Sequence, residues 1–172
     1  YTEEASIASF GEGKVKVRLY TDYFCSPCRA MEPDIEPIIT KLIRKNKIRL
    51  TFIDTPFYQY SSLYARYFLY AVNESKTFEQ ALTARRALIE ASMQNIRDRV
   101  ELEAFLRQKG IKTKPFDPKP IFNNFSKALK EDDIRATPSC VVEKDGKKHV
   151  FKGGKDITDA LKEFAEQTNG VT

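Results

Sequence analysis

The feature that most constrains this chain is Cys25-Ser26-Pro27-Cys28, a pair of cysteines at the junction of two differently patterned runs. Before it, Val15, Val17 and Leu19 alternate with Lys16, Arg18 and Tyr20, the two-residue period of a strand. After it, Met31, Ile35, Ile38, Ile39, Leu42 and Ile43 recur near helical spacing, which predicts a helix beginning near Arg29. A Cys-X-X-Cys pair at a strand-to-helix turn is a redox signature. The first turn of a helix offers unpaired N–H groups and the positive end of the helix dipole. That setting suits a thiolate, and Cys25 is placed to use it as an exposed nucleophile. Cys28, one turn on and shielded by the helix, is placed to close a disulfide onto Cys25.

Two other uses of such a pair fit less well. A structural zinc site needs a second Cys/His pair, and the remaining candidates, Cys140 and His149, match no common spacing. A structural disulfide here would close a very short loop and remove little chain entropy.

The chain has 172 residues, a length that suits one domain with room for an insertion. No apolar run approaches the ~18 residues needed to cross a membrane. The net charge of +5 comes from interspersed signs, as in Arg97-Asp98-Arg99 and Lys130-Glu131-Asp132-Asp133. That pattern reads as solvated helix surface rather than a nucleic-acid face. Three cysteines leave Cys140 free if the other two pair, and its strand context reads as a small buried hydrophobe. No metal ligand set or cofactor motif stands out.

Further elements follow in order. Ile7, Ala8 and Phe10 suggest a short strand before Gly11 and Gly13. Pro33 and Pro37 fall inside the helix after the cysteines and predict a kink or break. Ile48, Leu50 and Phe52 give a second strand, ending at Asp54-Thr55-Pro56. Residues 57–132 read as helices throughout. Thr77-Phe78-Glu79-Gln80 is a capping box, Asp98 begins another helix that Gly110 stops, and Asp117-Pro118 opens a last one. Tyr58, Tyr60, Tyr64, Tyr67 and Tyr70 form a stripe that reads as core rather than as a substrate groove. Two strand-like runs then flank Asp145-Gly146, a hairpin signal. Gly153-Gly154 ends the second run, and Asp156 reads as the cap of a final helix. The order is strand, helix, strand, helical block, hairpin, helix. It implies an α/β fold whose mixed sheet has one right-handed parallel crossover and helices on its faces.

At this level the chain resembles the thioredoxin superfamily, and within it the DsbA-like branch with a helical insertion. Three matches carry the resemblance: Cys25-Ser26-Pro27-Cys28 with Pro33 five residues on, Thr137-Pro138 just before a strand, and Gly153-Gly154 after the hairpin. The resemblance implies a thioredoxin-like domain of residues 1–56 and 133–172, with 57–132 as the all-helical insertion. It implies a thiol–disulfide oxidoreductase in which Cys25 attacks, Cys28 resolves and Pro138 lies in a cis peptide against the pair. Thr137, Ser26, Pro27 and Phe24 would contact substrate. It further implies cysteine-containing protein substrates, a membrane or soluble redox partner, and an extracytoplasmic bacterial setting such as the periplasm. A copper-binding chaperone on the same thiolates is the alternative within that fold. The chain departs from the family at Leu19, where many members carry a buried acid, and at Ser26-Pro27, which is neither the thioredoxin nor the DsbA dipeptide.

Overall fold

The computed structural model describes residues 7–167. Its sheet is built around β2 (Val15–Thr21) and β3 (Ile48–Asp54), which run parallel, with Leu19 opposite Phe52 and Thr21 opposite Asp54. β1 (Ser9–Phe10) pairs antiparallel with β3. It is shorter than Ile7 and Ala8 suggested, because those two residues form a 3₁₀ turn that leaves Ala8 buried. β4 (Ser139–Lys144) lies antiparallel to β2, and β5 (Lys147–Lys152) closes a hairpin on β4. Asp145 and Gly146, both at positive φ, form its two-residue turn. The strand order is β1-β3-β2-β4-β5.

The crossover from β2 to β3 is α1 (Ser26–Arg44), with Cys25 as its N-cap. The helix starts three residues before Arg29 because the Cys25 sulfur does the capping, accepting a hydrogen bond from the Cys28 N–H at 3.4 Å. Pro33 and Pro37 do not break it. Each removes one N–H from the ladder, but the buried stripe Met31, Ile35, Ile39 and Leu42 holds the helix continuous against the core.

Four helices separate β3 from β4: α2 (Ser61–Glu74), α3 (Phe78–Met93), α4 (Arg99–Gln108) and α5 (Lys119–Glu131). Thr77 caps α3 through the Gln80 N–H, and Asp98 caps α4 through the Glu101 N–H. Helix does not fill the whole stretch. Residues 109–118 are non-helical, with Gly110 at positive φ just past the end of α4 and with Pro115 and Pro118 further on. Hydrogen bonds between Lys114 and both Tyr70 and Asn73 tie this segment to α2 instead. α5 begins one residue later than Asp117-Pro118 suggested, with Pro118 at the cap position.

α6 (Gly154–Glu166) packs on α1. Its cap is Gly153, whose φ of 86° and ψ of 150° suit glycine alone, so Asp156 lies inside the first turn rather than at the cap. Strand alternation puts Leu19, Thr21, Phe52 and Asp54 on one sheet face and Arg18 and Tyr20 on the other. On the first face Phe52 meets Phe10, Phe68 and Phe78 at 5.9–6.3 Å between ring centroids. Among the described residues no helix is long and apolar enough to cross a membrane.

Candidate active site

The two cysteines sit where β2 ends and α1 begins, facing the loop before β4. That loop carries Thr137-Pro138, whose peptide bond is cis. The Cys25 Sγ lies 3.4 Å from the Thr137 carbonyl oxygen, and the same sulfur accepts the Cys28 N–H. The Pro138 carbonyl accepts from the Gly153 N–H at 3.0 Å, and the Ser139 hydroxyl donates to the Ala136 carbonyl at 2.8 Å. Segments more than a hundred residues apart in sequence are thus fixed against each other around one sulfur.

Cys25 is not exposed, as its position at the head of a helix had suggested. It is 2% accessible, and Cys28 is 4%. The cause is the cap itself: the sulfur turns inward to the Cys28 N–H and under Thr137 rather than out toward solvent. The exposed part of the motif is Ser26 and Pro27, while Thr137 is half-buried and Pro138 buried. Burial pushes the Cys28 thiol up to about 12, with the neighbouring Cys25 sulfur adding to the effect and the Asp22 backbone and Thr137 opposing it. Cys140 is fully buried on β4, and burial pushes it up to about 12 as well. His149 lies on the exposed strand β5. Among the described residues no three His, Cys, Asp or Glu side chains are grouped to hold a metal.

The loop leading into Cys25 is held at several points. Asp22 accepts the Phe24 N–H at 3.0 Å on one oxygen and the Ser61 hydroxyl at 2.5 Å on the other, and its carbonyl accepts the Cys25 N–H at 3.2 Å. The Tyr23 carbonyl accepts from Arg29 Nε at 2.7 Å and from the Ser92 hydroxyl at 2.8 Å. Phe24 is half-buried, edge-on to Tyr64 with centroids 4.8 Å apart and 5.9 Å below the Arg29 guanidinium. The tyrosine stripe divides: Tyr64, Tyr67 and Tyr70 are buried, Tyr60 reaches Phe24, and Tyr58 is half exposed at 50%. A cleft of about 420 Å³ opens beside the motif between α1 and α6, lined by Pro27, Met31 and Gly154 among others.

Beneath the pair lies a set of buried charges that the sequence reading missed. Arg85, from α3, makes a two-pronged bond to Glu32 on α1: Nε to Oε2 at 2.9 Å and Nη2 to Oε1 at 2.7 Å. It also donates to the Thr21 hydroxyl at 3.3 Å and stacks over Phe52, 4.2 Å from the ring centroid. Its Nη1 stops 3.9 Å from Asp54 Oδ1. The signal was present in the pattern. Glu32 follows Cys28 by one helical turn on the stripe that continues to Ile35 and Ile39, and Asp54 continues the alternation of Ile48, Leu50 and Phe52. A charge in phase with a buried stripe marks a buried ion pair.

The fold and this site together define a class: a mixed α/β protein with a dithiol at the head of a helix, facing a cis-proline loop. A family model described as Thioredoxin matches residues 11–163, and the chain belongs to that family. No curated protein matches it in sequence. Among solved structures it is similar to a periplasmic thioredoxin-like protein from Salmonella enterica serovar Typhimurium, at 16% identity, covering 96% of this chain and 97% of that one, with a TM-score of 0.67. It is also similar to the thiol-disulfide exchange protein alpha-DsbA2 from Wolbachia pipientis, at 20% identity over 92% of this chain and 84% of that one, TM-score 0.69. The catalytic domain of Proteus mirabilis ScsC matches at 17% identity over 94% of each chain, TM-score 0.68. These likenesses extend over nearly the whole chain, including the helices between β3 and β4.

Proposed function

We propose that this chain is a thiol–disulfide oxidoreductase acting on cysteines of other proteins. The observation that carries the reading is the Cys25 sulfur at the cap of α1, within reach of both the Cys28 N–H and the Thr137 carbonyl. A nucleophilic sulfur there has helix N–H groups to stabilise it and a resolving thiol one turn away.

In the reducing direction, the Cys25 thiolate attacks a substrate disulfide. A Cys25–substrate bond forms, the substrate disulfide breaks, and the leaving sulfur departs with the electron pair. Cys28 then loses its proton and attacks Cys25. The substrate leaves as its second thiolate, and the protein keeps a Cys25–Cys28 disulfide. The oxidising direction is the reverse. Phe24, Ser26, Pro27 and Thr137 form the substrate-facing rim, and Pro138, which lacks an N–H, shapes its floor. Residues 57–132 act as a helical insertion on a thioredoxin-like domain of 1–56 and 133–172, of which residues 1–6 and 168–172 lie outside the described residues. The likeness to a periplasmic thioredoxin-like protein and to a thiol-disulfide exchange protein supports an extracytoplasmic bacterial setting, with cysteine-containing substrates and a separate redox partner.

The test is turnover of a disulfide substrate such as insulin, with glutathione as the electron source. Cys25→Ser is expected to be inactive, and Cys28→Ser to accumulate mixed disulfides through Cys25. Stoichiometric copper binding by the two thiols with no disulfide exchange overturns the reading in favour of a copper chaperone.

A further inference from the structure

Two buried carboxylates compete for one guanidinium. The Glu32, Asp54 and Arg85 side chains are all less than 5% accessible. Glu32 takes the two-pronged bond, while Asp54 gets only the 3.9 Å approach and one long bond from the Tyr23 hydroxyl at 3.3 Å. Asp54 Oδ1 and Arg85 Nη1 are left without hydrogen-bond partners, an unusual condition for buried ionic groups. The charge on Glu32 is therefore firmly held, and the charge on Asp54 weakly.

Asp54 is also wired to both halves of the redox pair. Through Arg85 and Glu32 it reaches α1 one turn beyond Cys28. Through Tyr23 it reaches the loop two residues before Cys25. It lies on the sheet face of Leu19, one pleat nearer the loop, since Thr21 pairs with Asp54 where Leu19 pairs with Phe52.

We propose that Asp54 is a proton-linked positioning residue for the Cys25–Cys28 pair, acting through Arg85 and Glu32 on the helix of Cys28 and through Tyr23 on the loop of Cys25. This rests on the redox function proposed above. The groups facing Asp54 are Arg85 from α3, Glu32 from α1, Thr21 on β2, and Tyr23 and Asp22 from the loop after β2. When Asp54 is protonated, Glu32 and Arg85 neutralise each other. When it ionises, one net negative charge is added behind the cysteines, and a thiolate there becomes less favourable. Burial pushes the Asp54 carboxyl up to about 7; Arg85 pulls against that, and Asp22 and Glu32 add to it. The change of charge thus falls near neutral pH. Coupling is reciprocal: if ionised Asp54 disfavours the thiolate, the thiolate makes Asp54 harder to ionise.

The experiment follows the Asp54 carboxyl carbon of the carbon-13-labelled, otherwise unmodified chain by NMR across pH, in the disulfide and dithiol states. The expected result is a midpoint higher in the dithiol state by about half a pH unit or more, because the Cys25 thiolate, which the disulfide state lacks, puts a negative charge nearby. Equal midpoints in the two states overturn the proposal, and so does an Asp54 that titrates as an ordinary surface carboxylate in both. A residue that only supported the fold would titrate alike in both states. Asp54→Asn supplies a second readout. Between pH 6 and 8 the glutathione equilibrium constant of the parent chain is expected to drift by about threefold more than that of the variant, the equivalent of half a pH unit. Parallel drifts overturn the proposal. If the pair turns over substrate but the Asp54 midpoints coincide, this inference alone falls. If the pair forms no disulfide, both the inference and the proposed function fall.

Discussion

The two sheet faces each bury an arginine with carboxylates, and they satisfy them differently. On the face of Arg18 and Tyr20, Asp132 at the end of α5 accepts from Arg18 Nε at 2.7 Å and Nη2 at 3.0 Å, from the Tyr20 hydroxyl at 2.5 Å and from Lys148 Nζ at 2.9 Å. Arg18 also pairs with Glu143 at 3.0 Å. On the other face Arg85 serves Glu32 fully and Asp54 poorly, and the two buried side-chain polar atoms without a hydrogen-bond partner among the described residues, Asp54 Oδ1 and Arg85 Nη1, face each other there. The saturated group locks the end of the helical block onto β2 and β5. The unsaturated group lies next to the helix turn that carries Cys28, with Glu32 one turn on from it. A buried network with every partner in place specifies structure; one with a loosely held charge keeps that charge free to respond.

The largest expected effect breaks the comparison at its arginines. Arg85→Ala leaves Glu32 and Asp54 buried with no guanidinium bonded to either, and truncating one partner of a buried ion pair costs about 3–5 kcal/mol. Arg18→Ala leaves Asp132 with Tyr20 and Lys148 still donating. Its cost is expected to be smaller, about 1–3 kcal/mol, the range of hydrogen bonds to a charged group. Denaturant unfolding of both variants at pH 7 measures the difference. Equal costs would show that Asp132 depends on Arg18 as completely as Glu32 depends on Arg85.

How these two groups stood in the sequence explains which parts of the fold were legible. The strands, the Asp145-Gly146 hairpin and the caps at Thr77 and Asp98 were readable because each is set by residues within a few positions of one another. The helix boundary at Cys25 was not, because no propensity scale treats a cysteine sulfur as a cap. The continuity of α1 through Pro33 and Pro37 was hidden for another reason: the core packing that overrides two prolines comes from other elements. The site was half legible. Cys25-Ser26-Pro27-Cys28 announces itself, and Thr137-Pro138 and Gly153-Gly154 gain meaning only by likeness to a family. Arg85 looks like one more surface arginine until the fold brings α3 over Phe52 and Glu32.

The next effect separates the faces by the sign of their pH dependence. Burial alone would raise Asp132, but Arg18, Tyr20 and Lys148 outweigh it and hold the carboxyl at about 2. An unfolded Asp titrates near ~3.9. The stability Asp132 contributes is therefore present above ~3.9 and lost as pH falls through about 2. Asp54 runs the other way. Its folded value of about 7 lies above the unfolded one, so its contribution is present below ~3.9 and is lost as pH rises through about 7. Asp54→Asn removes that loss. Between pH 5 and pH 8 the variant is expected to gain on the parent chain by on the order of 2 kcal/mol in unfolding free energy. Asp132→Asn is expected to be destabilised at both pH values, with the deficit shrinking only below pH ~4. A stability difference for Asp54→Asn that stays flat from pH 5 to 8 would place the neutral-range charge change elsewhere.

The smallest effect compares two phenols that stand in equivalent relation to the two carboxylates. Tyr20 donates to Asp132 at 2.5 Å, a short bond to a carboxylate that stays ionised across the neutral range. Tyr23 donates to Asp54 at 3.3 Å, a long bond to a carboxylate that is partly protonated at neutral pH. Removing only the hydroxyl keeps the ring packing in both cases. Tyr20→Phe therefore deletes one charge-assisted bond and is expected to cost about 1–2 kcal/mol at pH 6 and pH 8 alike. Tyr23→Phe is expected to cost a few tenths of a kcal/mol at pH 6, where Asp54 is mostly neutral, and about 1 kcal/mol at pH 8, where its charge loses a donor. The same deletion should move the Asp54 midpoint upward, because the hydroxyl favours the ionised form. Unfolding both variants at the two pH values resolves the pattern. A pH-independent cost at Tyr23 would mean that Asp54 holds one charge state throughout that range, and the contrast between the two faces would then lie in geometry alone.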